Sequence, residues 1–196
     1  MRLDETLDKY FPTIPNASSI TLTQMLGHRS GIYSVTDDSL SLSWNTTPQT
    51  EASLVAKMLA GKPRFDPGAK AEYSNSNFIL MSFILQRAYG KPYAKILEEK
   101  ILRPLGLKDT YAGARIGAQK NEAHSYEFET SWKKSTETDM SIPLGAGAIV
   151  STPTDINRFA TALFEGKLIS TENVEQMKKM EGGFGLGLFA FPYYGK

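Results

Sequence analysis

One segment constrains the fold of this 196-residue chain more than any other: Asn77 to Tyr89, NFILMSFILQRAY, which is apolar almost all round. A helix with one apolar stripe can lie on a surface, whereas a helix apolar on every side needs neighbours on every side. The segment therefore predicts a helix at the centre of a helical cluster, stopped by Gly90.

Short, punctuated elements are available to surround it. Thr21-Leu22-Thr23-Gln24 has capping-box spacing and opens a short helix that should stop near Gly31. Thr50 can cap a helix through about Ala60, with Gly61 as its stop, and KPRFDPG is a turn cluster. Pro92 suits the first turn of the helix carrying KILEEKIL, which RPLGLKD then breaks. Gly145 and Gly147 read as backbone turn residues before a well-marked helix. That helix has Ser151 or Thr152 as cap, Pro153 in its first turn and Asp155 at its positive end. A last helix is expected over Thr171 to Met180.

Two stretches depart from the helical pattern. HSYEFETSW, between Asn121 and Met140, alternates loosely and predicts a small hairpin. In GGFGLGLFAFPYYGK a glycine-rich turn leads to Phe184, Phe189, Phe191, Tyr193 and Tyr194, which read as a half-buried strand and alternatively as cleft lining. The fold class is thus mainly α with a few short β-strands (α+β), one domain over 1–196, without repeats or linkers. Its core should draw on Leu22, Met25, Leu26, Leu54, Met58, Leu59, Phe78, Ile79, Met81, Phe83, Ile84, Leu97, Ile101, Leu102, Ile156, Phe159, Ala160 and Leu163.

Composition removes several function classes. The net charge of +1 comes from 22 basic and 21 acidic residues without long runs, so no nucleic-acid footprint or polybasic membrane patch is indicated. The absence of cysteine excludes disulfides and thiolate zinc sites. His28 and His124 lie far apart in sequence, which argues against a metal centre, and each reads more readily as a structural histidine than as a catalyst. MRLDETLDKYFP has no apolar core of a signal peptide, and no stretch is long enough to cross a bilayer as a helix.

The chemically suggestive segment is PGAKAEYSNSNF, Pro67 to Phe78. It resembles the Tyr-x-Asn loop of the serine β-lactamase and penicillin-binding-protein superfamily, in which Ser-x-x-Lys supplies the nucleophile and a Lys-Thr-Gly or His-x-Gly strand closes the site. LDETLDKYFP with ITLTQMLGHRSGI resembles the segment after the nucleophile helix of class C β-lactamases, esterases and D-alanyl-D-alanine peptidases. ILRPLGLKDTY and AGAIVSTPTDINRFATAL resemble later pieces of the same fold, in the same order. The resemblance implies an acyl-enzyme hydrolase acting on a β-lactam, a peptide or an ester, with a small-molecule or cell-wall peptide substrate, no metal and no organic cofactor. It implies a general-base or proton-shuttle role for Tyr73 and a substrate-anchoring role for Asn75. It also implies a periplasmic or otherwise extracytoplasmic setting for the parent protein.

The partners of that motif are not in their places. The Ser-x-x-Lys in the chain, Ser131-Trp132-Lys133-Lys134, follows Tyr73 in a polar stretch, and no Lys-Thr-Gly occurs. His28-Arg29-Ser30-Gly31 precedes Tyr73 in what resembles a structural loop. A phenol has a pKa of about 10 and needs nearby positive charge to act as a base near neutrality, so Tyr73 in this chain is expected to be an ordinary neutral tyrosine. An oxyanion hole without donors loses on the order of 100- to 1,000-fold per donor, and loss of the serine removes the covalent route.

The expectation is therefore the helical region of a β-lactamase/transpeptidase-like fold, truncated at both ends and lacking most of its antiparallel sheet. Such a piece should be inactive alone and should self-associate through uncovered apolar faces. The alternative is a non-catalytic binding or interaction module. In that reading Tyr-Ser-Asn-Ser-Asn is a plain helix cap; Ser74, Ser76 and Asn77 carry the capping role in either reading.

Overall fold

The central apolar segment folds as helix α3 (Asn75–Tyr89), two residues longer at its start than its apolar run. In the computed structural model, all residues are described except 38, 118, 120 and 192–196. Helix α1 (Leu22–Leu26), helix α4 (Tyr93–Leu97) and a 3-10 turn, Leu144–Ala146, pack against α3. The main core joins Leu7, Ile20, Leu22 and Met25 to Leu54 and Met58 of α2 (Glu51–Ala60) and to Ile79, Leu80, Phe83 and Ile84 of α3. Arg87 to Tyr89 emerge into solvent, so α3 is central only over its first three turns. Gly90, at φ 63°, ends it in the left-handed conformation that favours glycine.

Local signals set most element boundaries. The Thr21–Gln24 capping box is complete: the Gln24 N–H donates to Thr21 Oγ1 at 3.2 Å and the Thr21 N–H to Gln24 Oε1 at 2.8 Å. α1 nevertheless stops at Leu26, well before Gly31, because Gly27 caps it and His28 turns left-handed at φ 53°. Pro92 is the N-cap of α4, just outside the helix. α4 continues through a π-helical turn, Glu98–Leu102, into α5 (Arg103–Leu105). Pro104, inside α5, has no N–H for the ladder, and such a gap favours local widening of the helix.

Thr152, rather than Ser151, caps α6 (Pro153–Phe164) by accepting from the Asp155 N–H. α7 (Thr171–Met177) ends three residues before the expected Met180, because the Met177 carbonyl accepts the Leu186 N–H and the chain turns back. A second core cluster, Leu97, Leu102 and Leu107, packs with Ile101, Leu105 and Phe159.

Strands are short, as expected. β1 (Tyr111–Ala112) pairs antiparallel with β4 (Ile149–Val150), and β2 (Tyr126–Phe128) pairs with β3 (Trp132–Lys134) in the hairpin read from HSYEFETSW. The C-terminal aromatics do not form a half-buried strand: Phe184 and Phe189 make only isolated bridges, and Phe189 and Phe191 stand exposed. Tyr193 and Tyr194 lie outside the described residues.

Two expected core residues are on the surface, Leu59 and Ile156. Each follows a buried residue, Met58 and Asp155, by one position, and that step of about 100° turns it off the inner face. Leu26, Phe78, Met81, Ile101, Phe159 and Ala160 are half-buried. Conversely, Ser76, Asn77 and Ser82 of α3 are fully or almost fully buried, and the Gly145 N–H docks on Ser82 Oγ at 2.8 Å. Among the described residues no helix is long and apolar enough to cross a membrane.

Candidate functional site

Tyr73 precedes Ser74, the extended N-cap residue of α3, and the first turn of that helix carries Asn75. The Tyr73 hydroxyl donates to Asn75 Oδ1 at 3.0 Å, while Asn75 Nδ2 donates to Thr36 Oγ1 at 2.7 Å. The two side chains read together from the sequence are thus in direct contact, and Tyr73 is half open to solvent at 49% exposure. The side chain is therefore half exposed while the amide holds the direction of its hydroxyl.

The start of α3 is not capped by its own serines and asparagine. Ser74 is the N-cap residue but makes no side-chain cap, and its buried hydroxyl has no partner among the described residues. Ser34 does the work from a distant loop, its Oγ accepting the Asn75 N–H at 3.3 Å and donating to Asp37 at 2.9 Å. Ser76 Oγ instead ties α3 to the same loop, donating to the Tyr33 carbonyl at 2.7 Å and accepting from the Val35 N–H at 3.1 Å. Asn77 Oδ1 accepts from Ser30 Oγ at 2.6 Å. Three side chains expected to cap are therefore used for tertiary contacts or left unbonded, since the loop at 28–36 covers the helix end first. Ser34→Ala should lower stability by about 1 kcal/mol in urea denaturation, the usual worth of a lost cap. An unchanged midpoint would show that water replaces the hydroxyl.

His28 lies under Tyr73. The rings stack with centroids 4.4 Å apart, and Phe78 and Phe184 close on the imidazole at 5.2 and 4.9 Å. The Ser74 N–H donates to His28 Nδ1 at 3.1 Å, as expected of a hydrogen-bonded loop histidine, and burial lowers the His28 pKa. His124, in contrast, lies near Glu137 and Lys134, far along the chain from Tyr73.

The Ser131–Lys134 spacing does not form the helical face that a Ser-x-x-Lys pair needs. Ser-x-x-Lys places serine and lysine on one face only in a helix, and here the segment is a hairpin strand whose Lys134 Nζ is turned to Glu137 and His124. A cavity of about 930 Å³ also lies elsewhere, between Gln86 and Tyr93, the loop at 113–116 and the loop at 134–141. Burial raises the Tyr93 pKa there. Neither Tyr73 nor Asn75 lines that cavity. Tyr73 is the better candidate because its hydroxyl is held by Asn75 within one motif, whereas Tyr93, Lys134, Glu137 and Asp139 line the cavity outside it.

The sequence pattern of the beta-lactamase family matches residues 1–195. The chain belongs to that family. Over 120 residues it is 36% identical to the D-alanyl-D-alanine-carboxypeptidase/endopeptidase AmpH of Escherichia coli (strain K12), covering 56% of this chain and 30% of AmpH. The D-stereospecific amidohydrolase of a Streptomyces species superposes with a TM-score of 0.83 at 28% identity, covering 95% of this chain and 63% of that one. The D-amino acid amidase of Ochrobactrum anthropi SV3, in complex with D-phenylalanine, gives a TM-score of 0.84 at 28% identity, covering 98% and 61%. The chain spans about half or less of the length of the curated relatives it matches first. Hydrolases of the beta-lactamase and penicillin-binding type are thus its relatives, and its helical architecture with minor antiparallel strands is a beta-lactamase-like fold.

The network itself was only partly visible in the sequence. The motif reveals Tyr73 and Asn75, whereas nothing in the sequence marks Ser34 or Thr36, Phe184 reads only as one of the C-terminal strand or cleft aromatics, and His28 has no visible link to Tyr73. The signal available for His28 was its place in HRSG, where a turn before Gly31 lets a side chain fold back.

Proposed function

We propose that this chain is the helical part of a serine hydrolase of the beta-lactamase type, truncated at both ends, which contributes Tyr73 and Asn75 to a site completed by residues outside the 196. In this reading the complete protein acylates a serine with a β-lactam, a D-amino-acid amide or peptide, or an ester, and then hydrolyses the acyl-enzyme. It acts outside the cytoplasm on small molecules or cell-wall peptides. Tyr73 relays a proton to or from the reacting group, and Asn75 orients the phenol and offers its amide to the substrate. The isolated chain does not turn over substrate.

The observation that carries the reading is Tyr73, half exposed, with its hydroxyl held by Asn75 at the head of α3. Relatives named for D-alanyl, D-stereospecific and D-amino acid substrates support the substrate class. The test is intact-mass analysis after incubation with a fluorescent penicillin and, separately, a fluorophosphonate, on this chain and on the full parent reading frame. Labelling of the parent alone is expected. Labelling of this chain would overturn its assignment as inactive, and labelling of neither would favour a non-catalytic binding module.

A further inference from the structure

We propose that His28 is the positioning residue of Tyr73, gripping the backbone on both sides of the tyrosine and releasing it when the imidazole takes up a proton. The inference rests on Tyr73 being part of the reacting site, and its structural content can be tested without any activity.

The grip has three parts. The His28 carbonyl accepts the Glu72 N–H at 2.9 Å, and His28 Nδ1 accepts the Ser74 N–H at 3.1 Å. Tyr73 lies between those two anchored amides, and its ring stacks on the imidazole at 4.4 Å with an interplanar angle of 30°. One residue therefore sets both the backbone path and the ring plane of Tyr73. The geometry depends on the left-handed conformation of His28, φ 53°, which brings its carbonyl and its ring towards the same segment, Glu72 to Ser74. Histidine tolerates that conformation better than most residues, and a β-branched side chain does not.

The protonation state follows from the donors. The Ser74 N–H points at Nδ1, and the Asn77 amide nitrogen lies 3.5 Å from the same atom while Asn77 Oδ1 is taken by Ser30. Nδ1 must then carry a lone pair, which puts the ring proton on Nε2. A proton from solvent adds to that lone pair, and the resulting N–H faces the Ser74 N–H, so the Ser74 hydrogen bond breaks. Among the described residues, the rings of Tyr73, Phe78 and Phe184 and the amide of Asn77 pack on the imidazole, and of these Tyr73 alone carries an ionisable group. The charged neighbours along the chain are already engaged: Arg29 pairs with Glu181, and Glu72 pairs with Lys70 at 2.7 Å. None of these supplies the imidazolium with a counter-charge in direct contact.

At 5% exposure, burial holds the His28 pKa below the unfolded value of about 6.5. Above 6.5 both folded and unfolded chains carry a neutral ring, and the fold keeps its full stability. As pH falls through 6.5 the unfolded chain binds a proton that the fold resists, so stability declines until the lower folded pKa is passed. The release of Tyr73 belongs to that lower range.

The test is NMR of the whole 196-residue chain carrying ¹⁵N-histidine and ¹³C-tyrosine, titrated from pH 7.5 downward. At pH 7.5 His28 is expected to show an unprotonated Nδ1. As His28 titrates, the Tyr73 ring carbons should shift with the same midpoint, and Ser74 amide protection, corrected for intrinsic exchange, should fall about tenfold, the worth of an ordinary hydrogen bond. His28→Asn, which tolerates the left-handed backbone, should abolish the shared midpoint while Tyr73→Phe should keep the ring stacked. A protonated Nδ1 at pH 7.5, or a His28 titration that Tyr73 and Ser74 ignore, would overturn the proposal. If His28→Asn does not fold, the wild-type titration decides alone. Failure of these shifts together with penicillin labelling of the parent would reject the positioning role and leave the hydrolase reading intact.

Discussion

Gly31→Ala is expected to cost the chain about 3–5 kcal/mol, a large part of the stability available to a domain of ordinary size. Two penalties combine. Gly31 has φ 73°, a conformation that costs an L-residue roughly 1–2 kcal/mol. A methyl group there would also run into the carbonyl oxygen of Phe65. That oxygen belongs to backbone, so no side-chain rotation relieves the overlap. The Gly31 carbonyl accepts the Arg64 N–H at 2.9 Å, and a shift to make room would pull on that bond. Ser30, the next residue back, is bonded to Asn77, so the disturbance would reach α3 as well. Urea denaturation followed by far-ultraviolet circular dichroism would measure the loss. A change below about 1 kcal/mol would mean that the 62–66 turn yields easily, and the account of this packing would be wrong.

The second large effect is expected at Asp155. Its carboxylate is 2% exposed and accepts the Asp109 N–H at 2.8 Å and the Thr110 hydroxyl at 2.9 Å, while Arg158 approaches only to 3.7 Å. Its place in the first turn of α6 also favours negative charge. Asp155→Ala leaves an amide and a hydroxyl without their acceptor in a buried joint, a loss of about 3 kcal/mol. Because Asp109 and Thr110 lead directly into β1, amide exchange should accelerate across the β1–β4 pair before the rest of the chain. Asp155→Asn retains one acceptor oxygen and should lose less than the alanine variant. Equal losses for the two would show that charge at the helix end, rather than acceptance from the 109–110 turn, carries the effect.

Both sites illustrate what a sequence can and cannot reveal. Asp155 is visible as a residue that favours a helix start, but its bonds to Asp109 and Thr110 cross 46 and 45 positions of chain. Leu59 and Ile156 show the same limit from the apolar side. Their chemistry says core, while the helical phase fixed by the buried residue just before each points them outward.

Tyr73 and Asn75 were legible as a pair because their motif keeps them two residues apart, and a spacing of two at a helix entry brings their polar atoms together. The hold on Tyr73 was not legible. His28 Nδ1 meets the Ser74 N–H across 46 residues, and Ser34 meets the Asn75 N–H across 41.

What the sequence by itself determined is the part that closes within a few residues: the Thr21 capping box, the Thr50 and Thr152 caps, the Gly90 stop, the hairpin over Tyr126–Lys134 and the family motif around Tyr73. Each rests on hydrogen bonds whose donor and acceptor are neighbours in the chain, so local spacing is enough. The tertiary structure alone decided that Ser34 rather than the polar side chains of α3 would cap that helix, that a histidine lies beneath the tyrosine, and which apolar residues are inside. Those choices depend on loops of unrelated sequence arriving at the helix end and satisfying its free amides first. Once Ser34 and His28 occupy those amides, the serines that local spacing would have chosen are left to bond elsewhere or not at all.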